Sequence, residues 1–317
     1  MASPASLGGA TEDHGYFGPD SLAWRIFLHP ATQVMIAQIT NVLESPHIAF
    51  QYVLSEHDPV FGAHRRSRHV PPGRPVTFHD RIVRTVGVPA PILFGSRAEA
   101  DTAARQLFAY HRPMHGTIGE TGEPYSATST ANMLFAAVTI AHAALLAYEH
   151  FAYVGGRRVP SLTDDEVRRY LAETAQLAVL MGVPREEFPR TPDELESYYD
   201  SVSGSFYDKR GWWGDRIRAL GNLVRPGGGR RVRDVLADAV LLLSELMSLA
   251  VVPSRFRRHN GLPAVLDPLP KAAYLLSLPV FRIVAGRARI RKLVDGAYCR
   301  GDAHIHDLLA EARAAMR

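Results

Sequence analysis

The chain has 317 residues, 46% of them hydrophobic and 21% charged, with a formal net charge of +4. That is an ordinary globular composition, and it excludes a disordered chain, a collagen-like repeat and a disulfide scaffold. Cys299 is the only cysteine, so an intrachain disulfide and cysteine-built zinc or iron–sulfur sites are excluded too.

Lysine occurs only at Lys209, Lys271 and Lys292, and arginine supplies the other basic residues. The densest runs (Arg65, Arg66, Arg68 and Arg230, Arg231, Arg233) sit beside glycine and proline and read as solvated loops, so no nucleic-acid partner is expected. Met1 to His14 has neither a basic n-region nor an apolar h-region. No signal peptide is visible, and a cytoplasmic location is the expectation.

In chain order, residues 1–15 read as a loose tail, 16–300 as one all-helical domain and 301–317 as a helical tail. Asp20 to Leu54 reads as helix. Val86 to Phe94 is the nearest thing to a strand, although Pro89 and Pro91 argue against a central one. Ser96-Arg97-Ala98-Glu99 has capping-box spacing, and its helix runs until Pro113 stops it. Asn132 to Tyr153 reads as helix. Thr163 to Glu166 is a second capping box, with Gly182 as the C-cap. Thr191, Pro192 and Glu194 mark a third start, with proline at the first helical position. Gly204 to Gly229, which holds Trp212-Trp213, reads as a connection or lid. Arg231 to Val252 and Pro270 to Ile290 complete the helices.

The fold class that follows is all-α, a single globular multi-helix bundle with buried central helices. Ala131 to Tyr153 and Val235 to Val252 are apolar enough to raise the membrane question. The first contains His142, Glu149 and His150, and the second Asp238 and Glu245. Charge within a bilayer is expensive, so both read as central helices of the bundle, and peripheral membrane contact stays an alternative.

Phosphate-loop, dinucleotide-binding, zinc-protease and serine-hydrolase motifs are all missing from the sequence. The 14 histidines carry the chemical signal. His142 lies in the alanine-rich run Phe135 to Leu146, where a flat partner can approach the backbone and meet one imidazole. A haem with an axial histidine fits that description, as does a core histidine bonded within the protein. Glu149, seven residues on, shares roughly the same helical face and could fix a nearby histidine. His111 and His115 have the spacing of two ligands on one helix face, but Pro113 lies between them. His47, after Pro46, reads as a turn residue or a pocket wall, and His304 and His306 as surface residues.

The order of short motifs resembles that of the MpaB-type oxygenase family, which includes the bacterial latex-clearing proteins. The motifs are Gly18 to Arg25, Arg81 to Thr85, Phe94 to Ala100, His111 to Gly116, Pro124 to Ala127, Leu146 to Phe151 and Leu180 to Pro189, followed by Leu195 and Tyr198. Together they span roughly residues 15 to 290. The resemblance implies an all-helical fold holding one haem b, used in relatives for O2 chemistry such as oxidative cleavage of isoprenoid double bonds. Arg84 and Thr85 match an upstream arginine–threonine pair, and His111 falls on the helix that lines the haem.

One departure stands out. Aligned without gaps from Tyr125 to Tyr148, the family's tryptophan-valine-histidine-alanine-threonine run becomes Phe135-Ala136-Ala137-Val138-Thr139. Alanine stands where the resemblance places the iron ligand. Three arrangements follow: His142 ligates in a rearranged site, His111 ligates instead, or haem is lost and the pocket kept. In the first, His142 holds the metal, Phe135, Thr139 and Arg105 line the cofactor, and His111, Arg84, Thr85 and Glu149 form the catalytic set. Arg84, Arg105 and His111 would then orient O2 or substrate, or balance the propionates. The expected activity is a haem-dependent oxidoreductase acting on an apolar small molecule, isoprenoid-like or polyketide-like. A haem-free protein that binds an apolar ligand, or rearranges one by acid–base chemistry, is the alternative. A membrane-associated helical interaction protein is a third reading.

Overall fold

A computed structural model of the chain describes residues 13–57, 89–208, 232–299 and 302–317. Arg84, Thr85, Trp212 and Trp213 lie outside the described residues.

Where one helix is expected over Asp20 to Leu54, three form: α1 (Leu22–Phe27), α2 (Pro30–Glu44) and α3 (Ile48–Tyr52). Prolines cut the stretch. Pro30 is the first residue of α2, and the His29 ring accepts from the Ala31 N–H at 3.2 Å as the N-cap. Pro46 has no N–H to continue the ladder and sits in the turn before α3. Helix α4 (Pro89–Phe94) occupies the segment read as the nearest thing to a strand. Proline at its first position has the φ a helix needs, which answers the spacing of Pro89 and Pro91.

Helix α5 (Arg97–His111) opens with the expected capping box. The Glu99 N–H donates to Ser96 Oγ at 3.3 Å, and the Ser96 N–H donates to the Glu99 carboxylate at 2.8 Å. A hairpin of β1 (His115–Thr117) and β2 (Pro124–Ser126) then leads into the long helix α6 (Thr130–Phe151). His115 belongs to β1 and not to α5, so His111 and His115 share no helix face. A second hairpin, β3 (Tyr153–Val154) and β4 (Arg157–Arg158), precedes α7 (Asp164–Leu180). Thr163 caps α7 as the sequence indicates, and Gly182 ends it at φ +84°, a left-handed conformation that favours glycine. Helices α8 (Pro192–Ser201), α9 (Val232–Val251), α10 (Ser254–His259), α11 (Pro268–Gly286), α12 (Ala288–Cys299) and α13 (Ala303–Ala315) complete the described chain. The fold is mostly α, and among the described residues the two hairpins are its only sheets.

Helix α6 is the axis of the core. It packs most extensively against α2, and α7 and α1 also lie on it. Ala137, Ala141, Ala143, Ala144 and Ala147 are fully buried, and their small side chains let the neighbouring backbones come close. The Tyr170 hydroxyl donates to the Ala141 carbonyl at 2.8 Å, tying α7 to α6. The Trp24 indole N–H donates to the Leu93 carbonyl at 2.7 Å, tying α1 to α4. Helix α11 packs on α9, and α13 packs on α4. Ile305, Leu308 and Leu309 belong to the same apolar core as α6, so the C-terminal helix is built into the bundle. Cys299, at the end of α12, is 2% exposed.

Candidate functional site

A helix turns about 100° per residue, so Phe135, Thr139 and His142 share one face of α6 while Ala137 points about 140° away from His142. The two faces meet different surroundings. Ala137 is 0% exposed, and Ala141 on the same side takes the Tyr170 hydroxyl bond from α7. The other face meets the C-terminal end of α2, the start of α3, helix α8 and helix α10, and polar and aromatic side chains gather there.

Each named residue of that face is fixed by a neighbour. Thr139 is fully buried and its hydroxyl lies 2.8 Å from both the Glu44 carboxylate and the Phe135 carbonyl. Phe135 packs against His47 at 4.5 Å between ring centres and against Phe50 at 5.1 Å and Phe206 at 5.9 Å. His142 Nδ1 lies 3.0 Å from the Tyr199 hydroxyl. Tyr199 packs edge-on against Phe256, and Phe256 against Phe206, which joins the His142 end of the face to the His47 end.

Electrostatics keep both imidazoles neutral. Burial, with the Arg255 charge as a lesser cause, pushes the His142 pKa down to about 4. Arg255 is itself held by Asp200 and Glu196 of α8. Burial alone brings His47 down to about 4, and its Nδ1 is buried without a hydrogen-bond partner. Burial raises Tyr199 well above the usual phenol range.

Haem iron asks the protein for an axial donor and a shaped, apolar surround. Ala137 offers no donor and no space, so the resemblance's ligand position does not fit. His142 does. Its ring is neutral, Nδ1 is oriented by a hydroxyl, no group among the described residues bonds Nε2, and 8% of its surface stays accessible in otherwise buried surroundings. That division of labour, one nitrogen fixed and the other open, is what a ligating histidine needs. Among the described residues no three His, Cys, Asp or Glu side chains gather into a metal cage.

The other expected residues lie elsewhere. His111 ends α5, whose packing partner is α4. Its Nδ1 donates to the Leu107 carbonyl at 2.9 Å, leaving Nε2 with the lone pair, and burial lowers its pKa despite that bond. Arg105 is exposed on α5 and donates to Thr102. Glu149 sits about 10 Å along α6 from His142. Its carboxylate accepts from the Leu162 N–H at 3.0 Å, so it holds the loop before α7, and burial raises its pKa. The group that bonds His142 is Tyr199 and not Glu149. His304 and His306 are exposed, as expected.

Sequence reasoning missed Tyr199, Glu44 and the aromatic surround of His47. The four-residue spacing of Leu195 and Tyr199 was the available signal, because it puts both on the inward face of α8.

A protein-family model described as "ER-bound oxygenase mpaB/B'/Rubber oxygenase, catalytic domain" matches residues 53–289. No curated protein and no solved structure matches the chain. The match covers well over half of the sequence, α6 and α7 included though not α1 and α2, and on that ground the chain belongs to the mpaB/rubber oxygenase catalytic-domain family.

Proposed function

We propose that the protein is a haem-dependent oxygenase acting on an apolar small molecule, with His142 as the protein's iron ligand. The observation that carries this reading is the His142–Tyr199 pair, a buried neutral imidazole with one nitrogen held by a hydroxyl at 3.0 Å and the other open. Family membership supports the oxygenase class.

Haem b, when bound, supplies the redox and O2 chemistry. The chain's own residues do the rest. Tyr199 orients the imidazole through Nδ1, and burial keeps it unprotonated, so the lone pair of a ligating nitrogen is available at neutral pH. Phe135, Phe50 and Phe206 give an apolar wall that suits an isoprenoid-like or polyketide-like substrate. His47 presents an unpartnered Nδ1 within that wall, a group able to bond one oxygen of a substrate. Thr139, braced by Glu44, fixes the helix between the two histidines.

Hemin titration of the purified protein, followed by visible absorbance, tests the assignment. A stoichiometric Soret band in the wild type, weakened in Tyr199→Phe and lost in His142→Ala, is the expected result. Retention in His142→Ala moves the ligand to His111, whose free Nε2 has the right tautomer.

One observation favours a second reading. Ala137 is fully buried, so the family's ligand position is closed as well as vacant. A protein without haem would use the same aromatic face to bind an apolar ligand, with His47 and His142 as its acid–base groups. Absence of any Soret band after reconstitution selects this reading.

A further inference from the structure

Helix α11 turns one face inward and leaves an apolar face open. Pro270, Ala273, Ser277 and Phe281 are buried, and Phe281 packs on Phe151 of α6 at 4.7 Å between ring centres. The outward stripe is Leu269, Ala272, Leu276, Val280 and Ile283, spaced three and four residues apart and all exposed, Leu276 to 78%. Spacing of that kind places side chains along one line of a helix. A stripe this apolar on the outside of a bundle calls for an occupant.

Charge says which occupant. From Pro268 to Val294 the sequence has six basic residues (Lys271, Arg282, Arg287, Arg289, Arg291, Lys292) and no acidic one. These are six of the chain's 36 basic residues, and no carboxylate within the segment offsets them. A second copy of the chain would set these cations against one another, which is unfavourable. An anionic bilayer meets both the apolar stripe and the cations, the two contributions that hold a helix in the plane of a membrane surface.

A cavity of about 290 Å³ lies at the N-terminal end of the stripe, lined by Arg257, Lys271, His150, Tyr274 and Asp267 among others. Arg257 Nε is buried there without a hydrogen-bond partner, 3.6 Å from an Asp267 oxygen that also lacks one. The second Asp267 oxygen is taken by Arg258. Arg257 also donates through Nη1 to the Val252 carbonyl at 2.7 Å, and its Nε and the Lys271 side chain line the cavity beside the Asp267 carboxylate, cations of the kind that hold a phosphate oxygen.

We propose that the outward face of α11, with the cation-lined cavity at its start, docks the protein on an anionic phospholipid surface, the headgroup phosphate entering the cavity and the acyl region meeting Leu276, Val280 and Ile283. The inner face of α11 remains packed on the core, so the helix lies along the surface. This inference stands apart from the haem assignment, and neither depends on the other.

Flotation of the full-length protein with vesicles tests it. The protein floats with phosphatidylcholine–phosphatidylserine vesicles at low salt, is released as salt rises, and stays behind with phosphatidylcholine alone. Lys271→Glu lowers the bound fraction by roughly fivefold or more, and the double variant Leu276→Asp, Val280→Asp by roughly tenfold or more. The substituted side chains are exposed, so the circular dichroism spectrum and Tm of the variants match the wild type. Failure to float with either vesicle overturns the proposal, as does equal flotation with both. A dimer in sedimentation equilibrium that the double variant dissolves, without vesicle binding, overturns it in favour of self-association.

Discussion

Helices α6 and α11 are both long and apolar enough to cross a membrane by length and composition, yet they sit in opposite surroundings. The apolar window in Thr130–Phe151 is 78% buried, and that in Ala264–Gly286 is 22% buried. Alanine separates them. Where α6 has alanine on the face toward α7, the neighbouring backbone closes in and no surface is left over. Where α11 has leucine, valine and isoleucine on its outer line, nothing among the described residues covers them. Hydropathy measures how apolar a segment is, while side-chain size and its distribution around the helix decide which apolar faces find partners.

Substitutions on the two helices sharpen that contrast. Phe135→Ala should have the largest effect, since it empties the centre of the aromatic cluster. A loss of about 3–5 kcal/mol is expected in urea unfolding. Ala137→Leu overpacks the closed face of α6 and should cost about 1–3 kcal/mol. A fully stable Ala137→Leu protein would mean that face has room to spare and would sink the packing account. Tyr199→Phe removes the partner of His142 Nδ1 without changing the ring, and a loss of about 1–2 kcal/mol is expected.

The pH dependence comes next. His47, His142 and His150 are each held near a pKa of about 4 by burial, against 6.5 in the unfolded chain. Between those values the unfolded chain binds protons that the folded one does not. Stability is therefore complete above pH 6.5 and falls as the pH drops through the window toward 4. Tm measured across that range should fall more steeply for the wild type than for His47→Phe, and parallel curves would remove His47 from the explanation. Leu276→Asp on α11 should be the mildest change, within about 0.5 kcal/mol in stability because the side chain is in water.

Local chemistry was the legible part of the fold. Ser96 with Glu99, Thr163 with Glu166, and Thr191 with Pro192 each mark a helix start within a few residues, and the structure places caps there. Capping is decided by neighbours in sequence, so a single sequence suffices. The stretch from Asp20 to Leu54 divides into three helices because Pro30 and Pro46 override its apolar periodicity, and Pro89–Phe94 is helical because a proline that disfavours a central strand is accommodated in a first helical turn.

In the site, His142 was legible as a lone imidazole in an alanine-rich helix. Its meaning was not, because Tyr199 stands 57 residues away and Glu44 is 95 residues from Thr139. Pairings of that kind are made by tertiary packing, which no spacing rule encodes. His47 illustrates the same limit. Its place in a turn was readable, but its burial among Phe50, Phe135 and Phe206 depends on α3, α6 and the segment after α8 arriving together.

The solitary thiol of Cys299 gives the molecule a built-in reporter of slow motion. It is buried at the end of α12, just before α13 enters the core, so a thiol reagent in solution reaches it only when that region opens. With no other cysteine to compete, the labelling rate counts those openings directly. If reagent reacts much faster than the region recloses, the rate is the opening rate; if slower, it is the open-state population multiplied by the intrinsic reactivity. Comparing that rate with global unfolding tells whether the last two helices part from the bundle by themselves or only when the whole protein unfolds.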